Sequence, residues 1–142
     1  MGMNIGTLLS RHARYRPNHY ALVFEDQRLT YRELNQNVNR LANGLLNLGI
    51  TKGDKIAAIL PNSLELLEIY WAVAKIGAIV VPLSTLLRGK SLATLLLDSE
   101  AAMVITHSGF AEILAAIRPG LTPIAEDRYL LVDDGKDRKS VV

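Results

Sequence analysis

Lys52–Leu83 reads KGDKIAAILPNSLELLEIYWAVAKIGAIVVPL, and this stretch decides the fold. Lys55–Leu60 is a short apolar run, the pattern of a strand covered on both faces. Pro61 and Asn62 break it. Asn62 is a strong N-cap type, and Glu65 stands three residues on, where its carboxylate can reach back to the free amides of a first helical turn. From Leu64 the apolar residues recur at Leu66, Leu67, Ile69, Tyr70, Val73, Ala74 and Ile76, a wide helical stripe. Gly77 suits a left-handed helix end, and Ala78–Val81 opens a second β-branched run. Two apolar strands joined by a helix of this length predict a right-handed βαβ unit with a parallel pair.

Upstream, Ile5–Arg16 is expected to be a short helix, closed by Pro17. Tyr20–Phe24 and Arg28–Thr30 are short β-like runs, and Glu25, Asp26 and Gln27 between them suit a hairpin turn. Thr30-Tyr31-Arg32-Glu33 has the form of a capping box. Leu34, Val38, Leu41, Ala42, Leu45 and Leu48 follow at helical offsets, so this helix should run to about Leu48 and stop at Gly49. Downstream, the pattern predicts a helix over 90–99, a strand over 102–106, a helix around Phe110–Ile117 closed by Pro119-Gly120, and a strand over 129–132. The alternation of strand and helix argues α/β architecture: a mostly parallel sheet flanked by helices, with a short N-terminal hairpin. Asp133–Ser140 is mostly charged, so residues 134–142 read as a solvated loop or tail.

A length of 142 residues suits one domain with a real core, and 49% hydrophobic with 21% charged residues is globular composition. A formal charge of +2, without a basic stripe interleaved by aromatics, argues against nucleic acid as a partner. There is no cysteine, which excludes disulfides and thiolate metal sites and suits a cytoplasmic protein. The apolar stretch 72–87 is interrupted by Lys75, Gly77 and Pro82, so no transmembrane segment is expected. Met1-Gly2 precedes Gly6 rather than Ser or Thr, so a myristoylation signal is not complete.

Three stretches resemble the N-terminal part of the AMP-forming acyl-CoA synthetases of the acyl-adenylate-forming superfamily. Leu29-Thr30-Tyr31-Arg32-Glu33-Leu34 is similar to that family's LTYxEL entry to its first long helix. Leu48-Gly49-Ile50 with Lys52-Gly53-Asp54-Lys55-Ile56-Ala57 is similar to LGvxkGDrVai. Pro61-Asn62-Ser63 with Ala74–Leu83 is similar to PNsxe…AxxkxGavvvPl, although Ser84 stands where the family commonly has Asn. Asp98-Ser99-Glu100-Ala101 and Met103–Thr106 continue the likeness, which extends from Thr7 to about Asp133. The resemblance implies a fatty-acid–CoA ligase as parent: a carboxylate, ATP and CoA give acyl-CoA, AMP and pyrophosphate through an acyl-adenylate. ATP, Mg²⁺ and CoA are implied for that parent. The family's phosphate loop, ribose-binding aspartate and C-terminal lysine have no counterpart in this sequence.

Within the chain, each candidate site has a plainer reading. Gly89-Lys90-Ser91 is half of a nucleotide-binding loop; position 84 is Ser rather than the Gly that would let backbone amides wrap a phosphate, so a turn at a helix start is expected. His12, His19 and His107 lack the convergent spacing of metal ligands. Asp133-Asp134 after the last strand could hold Mg²⁺, but an acidic solvated turn is the ordinary reading. Tyr70 and Trp71 could line an acyl tunnel, yet aromatics at helical spacing are usually core. Arg88 and Lys90 could touch CoA phosphates, or simply form a basic turn.

The expectation is a single N-terminal subdomain, residues 1–142, that serves as scaffold. It carries no catalytic, cofactor-binding or metal-binding residue and binds no ATP, Mg²⁺ or CoA by itself. Its partners would be the remainder of the ligase and a second copy of itself, because faces meant for that remainder would be apolar and exposed. A free-standing, non-catalytic interaction module on the same fold is the alternative; a flavodoxin-like binder lacks a Gly/Ser loop after its first strand.

Overall fold

The computed structural model describes residues 5–132. The elements are α1 (Ile5–Tyr15), β1 (Tyr20–Phe24), β2 (Gln27–Thr30), α2 (Tyr31–Asn47), β3 (Lys55–Ile59), α3 (Leu64–Lys75), β4 (Ile79–Pro82), α4 (Gly89–Asp98), β5 (Met103–His107), α5 (Ala111–Ile117) and β6 (Tyr129–Val132). Single 3₁₀ turns at Ser108–Phe110 and Arg118–Gly120 bracket α5. The charged segment from Asp133 lies outside the described residues, as does the Met1-Gly2 start.

β4, β3, β5 and β6 form one sheet in that order, and every neighbouring pair is parallel. β3 is the organising strand: Ile56 is in register with Val80 on one side and with Met103 on the other. Its last four residues are buried, as a strand covered on both faces must be. Alternation divides the sheet into two cores. Ile56, Ala58, Met103 and Ile105 face a layer that holds Leu9 of α1, Leu34, Val38 and Leu45 of α2, and Ile69 and Val73 of α3. Ala57, Ile59 and Val104 face Leu92 and Leu96 of α4, Leu114 of α5, and Phe110, Leu121 and Ile124. Tyr70 and Trp71 are half-buried against the first core, the packing role expected of them.

Helix starts follow local chemistry, with one correction. Thr30 caps α2 with the full reciprocal pair: its Oγ1 accepts from Glu33 N at 3.2 Å, and Glu33 Oε1 accepts from Thr30 N at 3.1 Å. The N-cap of α3 is Ser63 rather than Asn62: Ser63 is extended (φ −162°, ψ 166°) and its Oγ accepts from Leu66 N at 3.2 Å. Asn62 and Ser63 are both good cap types, and the helix begins one residue later than Asn62 capping requires. Glu65 then falls at the second helical position, out of reach of a capping box, although its charge still faces the helix's positive end.

β1 and β2 form a separate two-stranded antiparallel sheet. The hairpin turn is shorter than the three residues expected. Gln27 pairs with Phe24, so Glu25 and Asp26 alone make the loop, with Glu25 at φ 54°. α2 ends with Leu48 as its cap, and Gly49 takes φ 90°, the left-handed step expected there. α1 docks closely on α3 at Gly6, where an added Cβ would stand 2.6 Å from the Lys75 Cα. Beside that contact, Lys75 Nζ donates to Asn35 Oδ1 at 2.7 Å and Asn39 Oδ1 at 2.5 Å. Burial holds the Lys75 ammonium below the usual lysine range.

Candidate functional site at the sheet's carboxyl edge

The chain leaves β3 through α3 to reach β4 on one side; it returns through α4, on the opposite face, to β5 on the other side. The strand order therefore reverses between β3 and β5. Open parallel sheets bind ligands in the crevice outside the carboxyl ends at such a reversal. Here that crevice is bounded by Leu60–Ser63 after β3 and by Ser108–Phe110 after β5. Thr106, fully buried, donates its Oγ1 proton to the Ile59 carbonyl at 2.7 Å and ties the two strand ends together.

The rim carries Arg88, His107 and Phe110. The Arg88 guanidinium lies 5.1 Å over the Phe110 ring, and the His107 ring stands 6.3 Å from the same ring at 46°. Arg88 Nη1 also donates to Thr85 O at 2.5 Å and Leu87 O at 2.7 Å, so the guanidinium is folded back onto its own loop. Gly109 allows the His107 ring to approach: a Cβ there would stand 2.9 Å from His107 Cε1. This grouping was not legible in sequence, because Arg88 and Phe110 come from different crossovers. The only trace is Phe110 four residues past the end of a predicted strand.

Other candidates are scattered. His12 stacks on Tyr31 at 5.0 Å, far along the chain from His107, and His19 precedes β1. Among the described residues no three of His, Cys, Asp and Glu come together to hold a metal ion, so these residues do not fit Mg²⁺. Gly89 opens α4 at φ 52°, and Lys90 and Ser91 are exposed on its first turn. A Cβ at Gly89 would meet nothing within 4 Å, so the backbone there is an open turn rather than a closed phosphate cradle. Asp133-Asp134 lies outside the described residues. No described helix is long and apolar enough to cross a membrane.

The rim holds one cation, one imidazole and a hydroxyl at Ser108, but no described nucleophile–base pair and no pair of carboxylates. It can orient an anion or stack a planar group. Among the described residues it does not bring together the donors that a phosphoryl-transfer transition state requires.

The profile of the AMP-binding enzymes matches residues 9–141. The chain belongs to that family. It is 38% identical over 122 residues to the long-chain-fatty-acid–CoA ligase FadD13 of Mycobacterium tuberculosis, a match covering 84% of this chain and 24% of that protein. It is 36% identical over 125 residues to the crotonobetaine/carnitine–CoA ligase of Salmonella paratyphi A, covering 81% of this chain and 24% of that ligase. Among solved structures, the M. tuberculosis fatty acyl CoA synthetase superposes with a TM-score of 0.76 at 35% identity, covering 92% of this chain and 26% of that one. The chain thus spans about a quarter of the length of the curated relatives it matches. The α/β class and the resemblance drawn from the three motifs are borne out.

Proposed function

We propose that residues 1–142 are the amino-terminal scaffold subdomain of an acyl-CoA ligase, with a fatty acid as the acyl donor. In the whole ligase a fatty-acid carboxylate attacks the α-phosphate of ATP, expelling pyrophosphate. The CoA thiol then attacks the acyl carbon, and AMP leaves. The observation that carries this reading is the 38% identity to a long-chain-fatty-acid–CoA ligase over 84% of the chain, on only 24% of that ligase. ATP, Mg²⁺ and CoA would act on residues contributed by the rest of the ligase, and this chain alone is catalytically incomplete. Its natural partner is that remainder; isolated, it self-associates through apolar residues such as Leu86, 85% exposed. The setting is cytoplasmic.

The test is ATP–pyrophosphate exchange with a panel of fatty acids. The chain alone should show no exchange. The product of its gene extended past Val142 should show exchange that depends on the acid. Exchange by the chain alone, or none by the extended product with any acid, would overturn the proposal.

A further inference from the structure

Helix α4 lies on the outside of the second face. Leu92 and Leu96 are buried in the core beneath it, and Lys90, Thr94 and Asp98 stand exposed on the opposite side at intervals of four. Leu95 and Leu97, also exposed, flank that stripe. The charges stand the wrong way round. Lys90 is on the first turn and Asp98 is the last helical residue, so each sits at the end of the helix whose partial charge it repeats. No acidic side chain on the first turn and no basic one on the last offsets them. Residues eight apart on a helix are about 12 Å apart along its axis, too far to pair with each other. Among the described residues neither Lys90 nor Asp98 has an ion-pair partner.

We propose that α4 pairs antiparallel with α4 of a second copy of this chain, about a two-fold axis at Thr94. Residues equally far from the axis then face each other: Lys90 of one copy meets Asp98 of the other, and the pair occurs twice. Each helix end receives from its partner the charge that its own sequence withholds, a carboxylate at the amino end and an ammonium at the carboxyl end. Leu95 and Leu97 close over the contact on either side. The stripe is its own complement under that rotation, whereas a different protein would have to carry the same acid–base spacing in reverse. A nucleic acid or an anionic membrane offers no group for Asp98. A contact made by one ten-residue helix is small, so the dimer is weak and reversible.

The experiment is sedimentation equilibrium of the extended gene product over a wide range of concentration. It should dimerise reversibly, and more weakly as salt is raised. Lys90→Glu turns both pairs repulsive and should raise the dimer's Kd about tenfold. The same change puts a favourable charge at the helix start, so the variant should melt no lower than the parent, and its loss of association cannot come from unfolding. Adding Asp98→Lys should restore the parent's Kd. In the chain alone, which has no cysteine, Thr94→Cys supplies a single thiol on the axis. On oxidation it should cross-link two copies well ahead of the control Asn43→Cys, at an exposed position on α2. A monomeric extended product, a double reversal no tighter than the single one, or Thr94→Cys cross-linking no faster than the control would each overturn the assignment. None of these outcomes depends on the exchange assay, and the pairing does not rest on which acid the ligase takes.

Discussion

On one face of the sheet lie α2 and α3, of 17 and 12 residues, each started by a side-chain cap. On the other lie α4 and α5, of 10 and 7 residues, neither with a side-chain cap. The first face is made of elements with strong signals of their own. The second depends on tertiary contact with Ala57, Ile59 and Val104, because short uncapped helices are marginal in isolation. Local stability should therefore be uneven, with the second face opening first. The carboxyl rim joins His107, the last residue of β5, to Arg88 at the start of α4 and Phe110 just before α5, the two helices of that second face.

The largest effects should come from core truncation. Ile105→Ala, on the first face, should destabilise by about 4 kcal/mol in urea unfolding, and Leu114→Ala, on α5, by about 3 kcal/mol. Amide exchange should separate them further: Leu114→Ala should speed exchange in α4 and α5 while leaving α2 largely protected. Uniform acceleration through both faces would show that they open as one unit. Gly6→Ala comes next, at about 2 kcal/mol, since its methyl would press on the Lys75 backbone rather than on a flexible side-chain tip. Thermal unfolding would report it, and an unchanged midpoint would show that α1 can shift at little cost.

The helix caps should matter less than the core. Thr30→Ala and Ser63→Ala should each cost about 1 kcal/mol, while Asn62→Ala should lie within about 0.5 kcal/mol of the parent. A larger loss at Asn62 than at Ser63 would return the N-cap to the residue expected from sequence.

The smallest effect concerns Tyr129, whose hydroxyl is buried without a hydrogen-bond partner among the described residues. Burial raises its pKa, and the Arg118 guanidinium, 4.0 Å over the ring, pulls part of that back. The folded value lies above the unfolded one, so this group's stabilisation is complete below about pH 10 and is lost as pH rises through the folded value. Lys75, with its pKa lowered, contributes with the opposite sign in the same alkaline range. The prediction is therefore a difference: Tyr129→Phe should match or exceed the parent's stability at neutral pH, and its advantage should grow above pH 10. A difference flat with pH would remove the titration argument.

Most of the fold was legible in sequence because its signals are local. Thr30 and Glu33 sit three apart and do what that spacing predicts; Gly49 and Gly77 end their helices at positive φ. The strand order was not legible. Periodicity marks β3, β4, β5 and β6 as strands but says nothing of which crossover goes to which face, and that choice creates the crevice between β3 and β5. The rim grouping failed for the same reason, being assembled from residues 88, 107 and 110 only once α4 has crossed the sheet. The shift from Asn62 to Ser63 is a competition between two adjacent cap residues that a one-residue change of helix phase decides.

If this chain supplies scaffold and not nucleotide chemistry, as proposed, titration calorimetry with Mg-ATP should give no measurable heat of binding, for the parent and for Lys90→Ala alike. Tight, Mg²⁺-dependent binding that disappears in Lys90→Ala would contradict it and make the turn at Gly89-Lys90-Ser91 a phosphate site.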